Sequence, residues 1–506
     1  MFPIFSLRYV KLPAHFYARF DPVPVKAPQL VAFNRPLAEE LGFALDAFDA
    51  EQATAWFAGN EVPPGAEPVA MAYAGHQFGG FSPRLGDGRA VLLGEVIDRH
   101  GRLRDIQLKG AGRTPFSRGG DGRAPLGPVL REYLVSEAMH AMSIPTTRAL
   151  AAVTTGERVA RRVLEPGGVL TRVAASHIRV GTFQYFAARG DIEGLRVLAD
   201  HVIERHYSEL HDPDLHDPEL HDPDQHGADE GARYLALLGA IQARQAALVA
   251  RWMGIGFIHG VMNTDNTAVS GETIDFGPCA FMEAYDPRQV FSSIDEGGRY
   301  AYGNQPGIIQ WNLARLAETL LPLIDADQER AIERATGVLN RYPAQYEAEW
   351  LAVMRAKLGL AREEEGDREL VEALLEAMHA GRADFTLSFR LLCDAIEPVL
   401  PDARLAELFD PPAAIETWLE RWRERLAREE AEIEVIAARM RAVNPVYIPR
   451  NHRVEEALSA AYEGDFAPFE ALREVLARPF EEQPGREAYA LPAEPDERVF
   501  RTFCGT

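Results

Sequence analysis

A chain of 506 residues, 47% hydrophobic and 25% charged, has the length for two or three domains with a substantial core. Its formal net charge of −23 argues against a general nucleic-acid binder, which needs a basic face, while leaving room for a local basic pocket. Three cysteines (Cys279, Cys393, Cys504) are too few for a disulfide scaffold and fit a reducing, cytoplasmic setting; no apolar run of about 18 residues predicts a membrane span, and no signal peptide is expected.

Residues 1–70 are mixed and proline-rich and read as an N-terminal extension, with a short strand or loop and then a helix over 30–43. The glycine turn Gly86-Asp87-Gly88-Arg89 is followed by an apolar run over 90–96, a second turn over 98–101, and an alternating strand, LRDIQLKG, that ends in Lys109. Glycine N–H groups approach phosphates closely and Arg89 adds charge; a ligand-free hairpin turn is the plain alternative. Residues 111–125 form a second glycine-rich, basic stretch with Asp121 and Gly122, and read equally as a ligand loop or an exposed linker. The spacing predicts a helix over 127–142, with Pro128 in its first turn and Val129, Tyr133, Leu134, Ala138 and Met142 toward the core. On it, Glu132 is the candidate partner for Lys109, and Glu137 reads as a solvated carboxylate.

Residues 147–187 read as strands. Within them Arg172 and Arg179 sit among small and apolar residues and require anionic partners, because an unpaired buried charge is costly. A bidentate phosphate contact and a structural ion pair both satisfy that requirement. The acidic repeat HDPDLHDPELHDPDQHG (211–227) predicts a mobile surface loop, part of an insertion over 208–230 with no site role. An amphipathic helix over 232–254 then leads into the most informative stretch.

That stretch is HGVMNTDNTAVSGETIDFG, residues 259–277. His259-Gly260 opens a turn, Asp265 and Asn266 stand side by side, and Asp275 is expected at the end of a strand, before Phe276-Gly277. Mg²⁺ takes hard oxygen ligands from one or two side chains plus phosphate and water. Asn266 and Asp275, on two arms of an expected hairpin, supply such a pair. Beyond it, 306–324 predicts a helix with Trp311 as a core residue, 325–480 is mostly helical, and 415–443 reads as one long charged helix. Cys279 follows Gly277 closely and Cys504 lies near the C-terminus; a disulfide between them would pin the tail over the site, and two free thiols are the alternative.

His259, Asn266 and Asp275-Phe276-Gly277 resemble the catalytic and metal loops of protein kinases, with Val261 where a kinase keeps its catalytic aspartate. The expected class is α/β (α+β): a protein-kinase-like two-lobed fold with an N-lobe over 71–165, a C-lobe over 166–400, the extension over 1–70, and a C-terminal helical region with a redox-capable tail over 401–506. Over nearly the whole chain, the motifs GHQFGGFSPRLGDGRA, DIQLKGAGRTPFSRGGDGRAPLGPVLREYL, SHIRVGTFQ, HGVMNTDNT, TIDFGP and NPVYIPRN resemble the selenoprotein O (YdiU) family of pseudokinases.

The resemblance implies that ATP binds flipped relative to kinases and that AMP, not phosphate, passes to Ser, Thr or Tyr hydroxyls of protein substrates, releasing pyrophosphate. It implies nucleotide contacts at Gly86, Gly88, Arg89, Lys109, Asp121, Gly122, Arg172, Arg179 and Asp275. It further implies a proton acceptor at Asp265, Mg²⁺ or Mn²⁺ on Asn266 and Asp275, and a Lys109–Glu132 pair. The flip accounts for Val261, since the nucleophile then approaches from elsewhere. The His-Asp-Pro insertion is absent from many members, and the C-terminal position that is selenocysteine in some is Cys504 here. The expected partners are ATP and hydroxyl-bearing proteins, with no nucleic acid and no membrane. An ordinary kinase using Asp265, and a non-catalytic nucleotide-binding scaffold, are the competing readings.

Overall fold

The computed structural model describes residues 2–47, 49–161, 163–211, 231–396 and 402–503. Most of the His-Asp-Pro repeat, and Cys504, lie outside the described residues.

The strands in chain order are β1 (Tyr17–Arg19), β2 (Gln29–Phe33), β3 (Val69–Met71), β4 (Gly75–Gln77), β5 (Gly80–Ser82), β6 (Ala90–Ile97), β7 (Leu103–Lys109), β8 (Ala124–Pro125), β9 (Arg148–Ala160), β10 (Leu164–Ala174), β11 (Phe257–Ile258) and β12 (Ala280–Phe281). The main sheet runs β1-β3-β6-β7-β10-β9-β2, with β8 also on β10 and every pair antiparallel. Its two edge strands come from the first 70 residues. β4 and β5 form a separate hairpin, and β11 pairs with β12.

Both faces of the sheet are covered, and β6 accordingly reads as a near-continuous apolar run. Val91, Leu93, Ile106, Leu108, Val169 and Val173 pack with Leu37, Ala38, Ala53 and Phe57 of helices α1 (Arg35–Glu40) and α2 (Ala50–Ala58). Leu92, Ala149, Ala152 and Leu170 join the larger core with α3 (Leu126–Ala141), whose predicted core residues are all buried. Helices α4 (Val180–Ala187), α5 (Ile192–His206), α6 (Ala232–Gly254) and α7 (Gln305–Ile324) follow. α6 packs on α7, and the helices Asn451–Tyr462 and Ala467–Leu476 pack on the outer side of α3.

Several expectations are corrected. Residues 180–187 are helical, not strand: the Thr182 hydroxyl accepts the Arg179 N–H and nucleates a turn in an apolar run whose length fits either structure. The charged segment over 415–443 is two helices, Glu416–Leu426 and Ile433–Arg441. Between them Glu429 turns inward to accept from Arg425 (2.8 Å) and from the Ala361 N–H (3.2 Å), a tertiary demand that overrides helix propensity. Glu137 is not solvated: it takes both Arg148 Nε (2.9 Å) and Nη2 (2.7 Å), tying α3 to β9. Trp311 is half-buried, with Arg299 and Arg315 over its ring.

Candidate active site

Three elements bring opposite charges together at one end of the sheet. Lys109 ends β7, Arg172 sits on β10 in register with Gln107, and Glu132 projects from α3. Lys109 Nζ donates to Glu132 Oε2 at 2.6 Å and to Asp275 Oδ1 at 2.5 Å. Arg172 donates to the other Glu132 oxygen, Nε at 2.7 Å, and its Nη2 lies 3.7 Å from Asp275 Oδ1. Buried ions survive only when paired in this way. Burial works to raise the Glu132 and Asp275 carboxyls. At Glu132 it is outweighed by Arg172 and Lys109, and at Asp275 by Lys109, Arg172 and Arg89; both groups are held below the ordinary carboxylate range. Arg172 is therefore an ion-pair partner and, in the same position, a cavity residue.

The glycine turn is required by sterics. Gly86 has φ +69°, and a Cβ there would lie 2.3 Å from Phe116 Cγ. Asp87 also lines the cavity, and one oxygen of its buried carboxylate accepts from the Met71 N–H and from Gln107 Nε2, each at 3.1 Å. Gly122, at φ +70°, presses on the Gly112 backbone, where a Cβ would come within 2.1 Å. The neighbouring Asp121 accepts from Arg161 Nη1 at 2.9 Å and from the Arg123 N–H at 2.9 Å.

Residues 263–275 do not form the expected hairpin ladder. Asp265 and Asn266 lie on a 3₁₀ turn, Thr264–Asn266, and the flanking segments bridge outward, Ala268 to Arg179 and Thr273 to Thr146. Asp275 follows in a left-handed conformation, φ +68°, rather than in a strand. His259 fastens the two arms, its Nε2 lying 2.9 Å from the Ile274 carbonyl.

Asp265 is buried. One carboxylate oxygen accepts from Gln77 Nε2 at 3.1 Å, and the other, Oδ1, has no hydrogen-bond partner. Burial pushes its carboxyl up to about 6. Arg179 holds the turn, donating to the Asp265 carbonyl at 3.0 Å while its guanidinium lies 4.4 Å over the Tyr73 ring. Asn266 Nδ2 donates to the Val261 carbonyl at 3.0 Å, which leaves the amide oxygen as its acceptor.

A cavity of about 570 Å³ gathers these groups. Gly86, Gly88, Arg89, Lys109, Asp121, Gly122, Arg172, Arg179, Asp265, Asn266 and Asp275 all line it, and Glu132 lies behind Lys109. Tyr73, Gln77, Phe116, Arg118 and Asn263 line it as well and were not singled out from the sequence. Gln77 meets Asp265 across 188 positions, a pairing with no local signal. Among the described residues no group of three or more His, Cys, Asp or Glu is arranged to hold a metal ion. The donor chemistry of one amide oxygen and one carboxylate suits Mg²⁺ or Mn²⁺ where phosphate and water supply the remaining oxygens.

Cys279 is buried, its thiol 3.2 Å from the Phe276 carbonyl, and burial pushes it up to about 12. Its expected partner, Cys504, lies outside the described residues. The tail before it reaches this region: Thr502 pairs with Ser292, and its hydroxyl donates to the Pro278 carbonyl at 2.5 Å.

The model of the family described as protein adenylyltransferase SelO matches residues 4–477. The chain is 60% identical to a protein nucleotidyltransferase YdiU of Rhizobium meliloti over 503 residues, 99% of each chain. It is 59% identical to the protein of the same description from Bradyrhizobium sp. over 503 residues, again 99% of each, and 60% identical to that of Cereibacter sphaeroides over 493 residues, 97% of each.

Proposed function

Because the chain belongs to the SelO family of protein adenylyltransferases, we propose that its cavity holds ATP with the α-phosphorus toward Asp265 and passes AMP to Ser, Thr or Tyr hydroxyls of partner proteins. The hydroxyl oxygen forms a bond to the α-phosphorus, the bond from that phosphorus to the bridging oxygen of pyrophosphate breaks, and Asp265 takes the hydroxyl proton. Lys109, Arg89, Arg172 and Arg179 balance the charge that develops on the departing pyrophosphate. The turns at Gly86, Gly88 and Gly122, without side chains, leave room for the phosphates to lie close to the backbone. Mg²⁺ or Mn²⁺ held by Asn266 and Asp275 would supply further charge neutralisation at phosphate oxygens.

The observation that carries this reading is Asp265, a buried carboxylate that lines the same cavity as the cations and whose carboxyl burial pushes up to about 6, into the range of a general base. Val261, buried and apolar, accepts no proton at the position of a kinase base. The Lys109–Glu132 pair between strand and helix supports a protein-kinase-like arrangement. The expected lobe boundary at 165/166 falls inside β10, so the sheet-bearing lobe extends through Ala174 and takes in the edge strands before residue 71. Buried, free Cys279 and Cys393 support a reducing, cytoplasmic setting. Among the described residues no helix is long and apolar enough to cross a membrane.

ATP labelled at either the α- or the γ-phosphate tests the reading. Label on protein from the α position alone is expected. Label from γ alone indicates a kinase and contradicts it; label from neither indicates a scaffold and also contradicts it.

A further inference from the structure

Exposed apolar side chains scattered singly are ordinary on a folded surface, whereas several gathered beside a cavity mark a binding surface. Among the described residues four are exposed, Phe78, Phe81, Phe500 and Phe503, and they fall on only two segments. Phe78 and Phe81, 38% and 43% exposed, belong to the β4–β5 hairpin. Phe500 and Phe503 flank Thr502, which bridges to Ser292, two positions before Ile294, itself 51% exposed. Phe78 and Ile294 both line the cavity that contains Asp265.

The hairpin is fixed to the catalytic turn. The His76 N–H donates to Thr264 Oγ1 at 2.7 Å, and Gln77 holds Asp265. The Phe78 N–H is shared between Asn263 Oδ1 (3.1 Å) and the Tyr300 hydroxyl (3.2 Å), which hold this non-glycine residue at φ +51°. Such conformations persist only where the surroundings impose them, and they cluster at functional sites. Behind the aromatic rim lies a packed stack: Phe81 on His76 at 4.8 Å, His76 on Trp311 at 5.2 Å, and Arg299 over Trp311 at 4.9 Å. The rim is thus a stiff apolar surface set against the group that accepts the proton.

We infer that the rim formed by Phe78, Phe81 and Ile294 docks the acceptor polypeptide, and that it selects hydroxyl residues flanked within a few positions by a large apolar side chain. The inference rests on the adenylyl-transfer reading above. It names the occupant because that reaction brings a polypeptide hydroxyl to Asp265, and the rim is continuous with the cavity that holds Asp265. A flanking Leu, Met or Phe would cover the exposed rings and remove their apolar area from water.

The test is a peptide library with one central Ser, Thr or Tyr and degenerate flanks, incubated with the full chain and α-labelled ATP. Labelled peptides should be enriched about tenfold in large apolar flanks over Gly or Ser flanks. In a chain carrying Phe81→Ser with Ile294→Ser the enrichment should fall to near unity. Enrichment is a ratio within one reaction, so partial loss of total activity does not mimic the result. Unbiased flanks in the parent chain, or unchanged enrichment in the variant, would overturn the inference. So would a substitution that changes only the oligomeric state, which would mark the rim as a contact between copies of the chain. If no peptide is labelled while the enzyme labels itself from α-labelled ATP, the docking inference fails and adenylyl transfer stands. Absence of α-label on any protein or peptide instead removes the underlying reading.

Discussion

Lys109 Nζ donates to Glu132 Oε2 at 2.6 Å, joining the end of a central strand to the second turn of α3. The other oxygen of Glu132 receives Arg172, so one carboxylate positions two cavity cations. Glu132→Gln keeps the shape and removes the charge, leaving Lys109 and Arg172 to share Asp275. Breaking such a buried pair costs on the order of 3 kcal/mol. The variant should unfold at lower temperature and show a raised KM for ATP with kcat/KM reduced about 100-fold. Thermal unfolding and steady-state kinetics check both; unaltered ATP kinetics would remove Glu132 from the site.

Gly86→Ala introduces two faults, a methyl group against the Phe116 ring and an L-residue at φ +69°. It should weaken ATP binding and destabilise the fold by about 1–3 kcal/mol. Phe116→Ala removes the clash partner but opens a cavity of its own, so Gly86→Ala should cost less in the Phe116→Ala background than in the parent chain, though still more than zero because the backbone strain remains. Denaturant unfolding of the three variants reads this directly.

The helical region contains a buried lysine with a measurable pH signature. Lys357 Nζ donates to Asn444 Oδ1 at 2.7 Å and lies 4.2 Å from the Phe389 ring centre, and burial lowers its amine to about 7. An unfolded chain keeps that proton to about pH 10. Between pH 7 and 10 the unfolded state therefore binds more protons, and stability rises with pH at up to about 1.4 kcal/mol per unit. Relative to Lys357→Met, the parent chain should gain stability across this window. Parallel stability–pH curves for the two proteins would contradict it.

Cys279 has the properties of an inert thiol, buried and with its ionisation pushed up to about 12. Alkylation of the native protein at mildly alkaline pH should leave Cys279 unmodified, and the same treatment after unfolding should modify it. Peptide mapping distinguishes the two cases. Rapid native modification would show that the segment after Gly277 opens readily.

Much of the site was legible in the sequence because it is built from local signals. The glycines at 86, 88 and 122 mark turns, Lys109 closes an alternating strand, and Glu132 lies on a helix with clear apolar periodicity; the structure brings these residues to one cavity or directly behind it. What escaped was set by distant partners. Gln77 gains its role from Asp265, 188 positions away, and Glu137 is desolvated by Arg148 and Asn34 rather than by its own helix. The 180–187 segment was misread because a short apolar run fits strand or helix equally, and the deciding bond is a side-chain cap. Asp275 was expected in a strand, yet its left-handed backbone is what lets it meet Lys109 at the end of β7.

The central claim concerns which phosphorus faces Asp265. A crystal structure of the chain with a non-hydrolysable ATP analogue and Mg²⁺ or Mn²⁺ measures it directly. The account predicts the α-phosphate nearest to Asp265, Asn266 and Asp275, with the β- and γ-phosphates toward the arginines and glycine turns. A γ-phosphate presented to Asp265, with the α-phosphate at the far end, would contradict it.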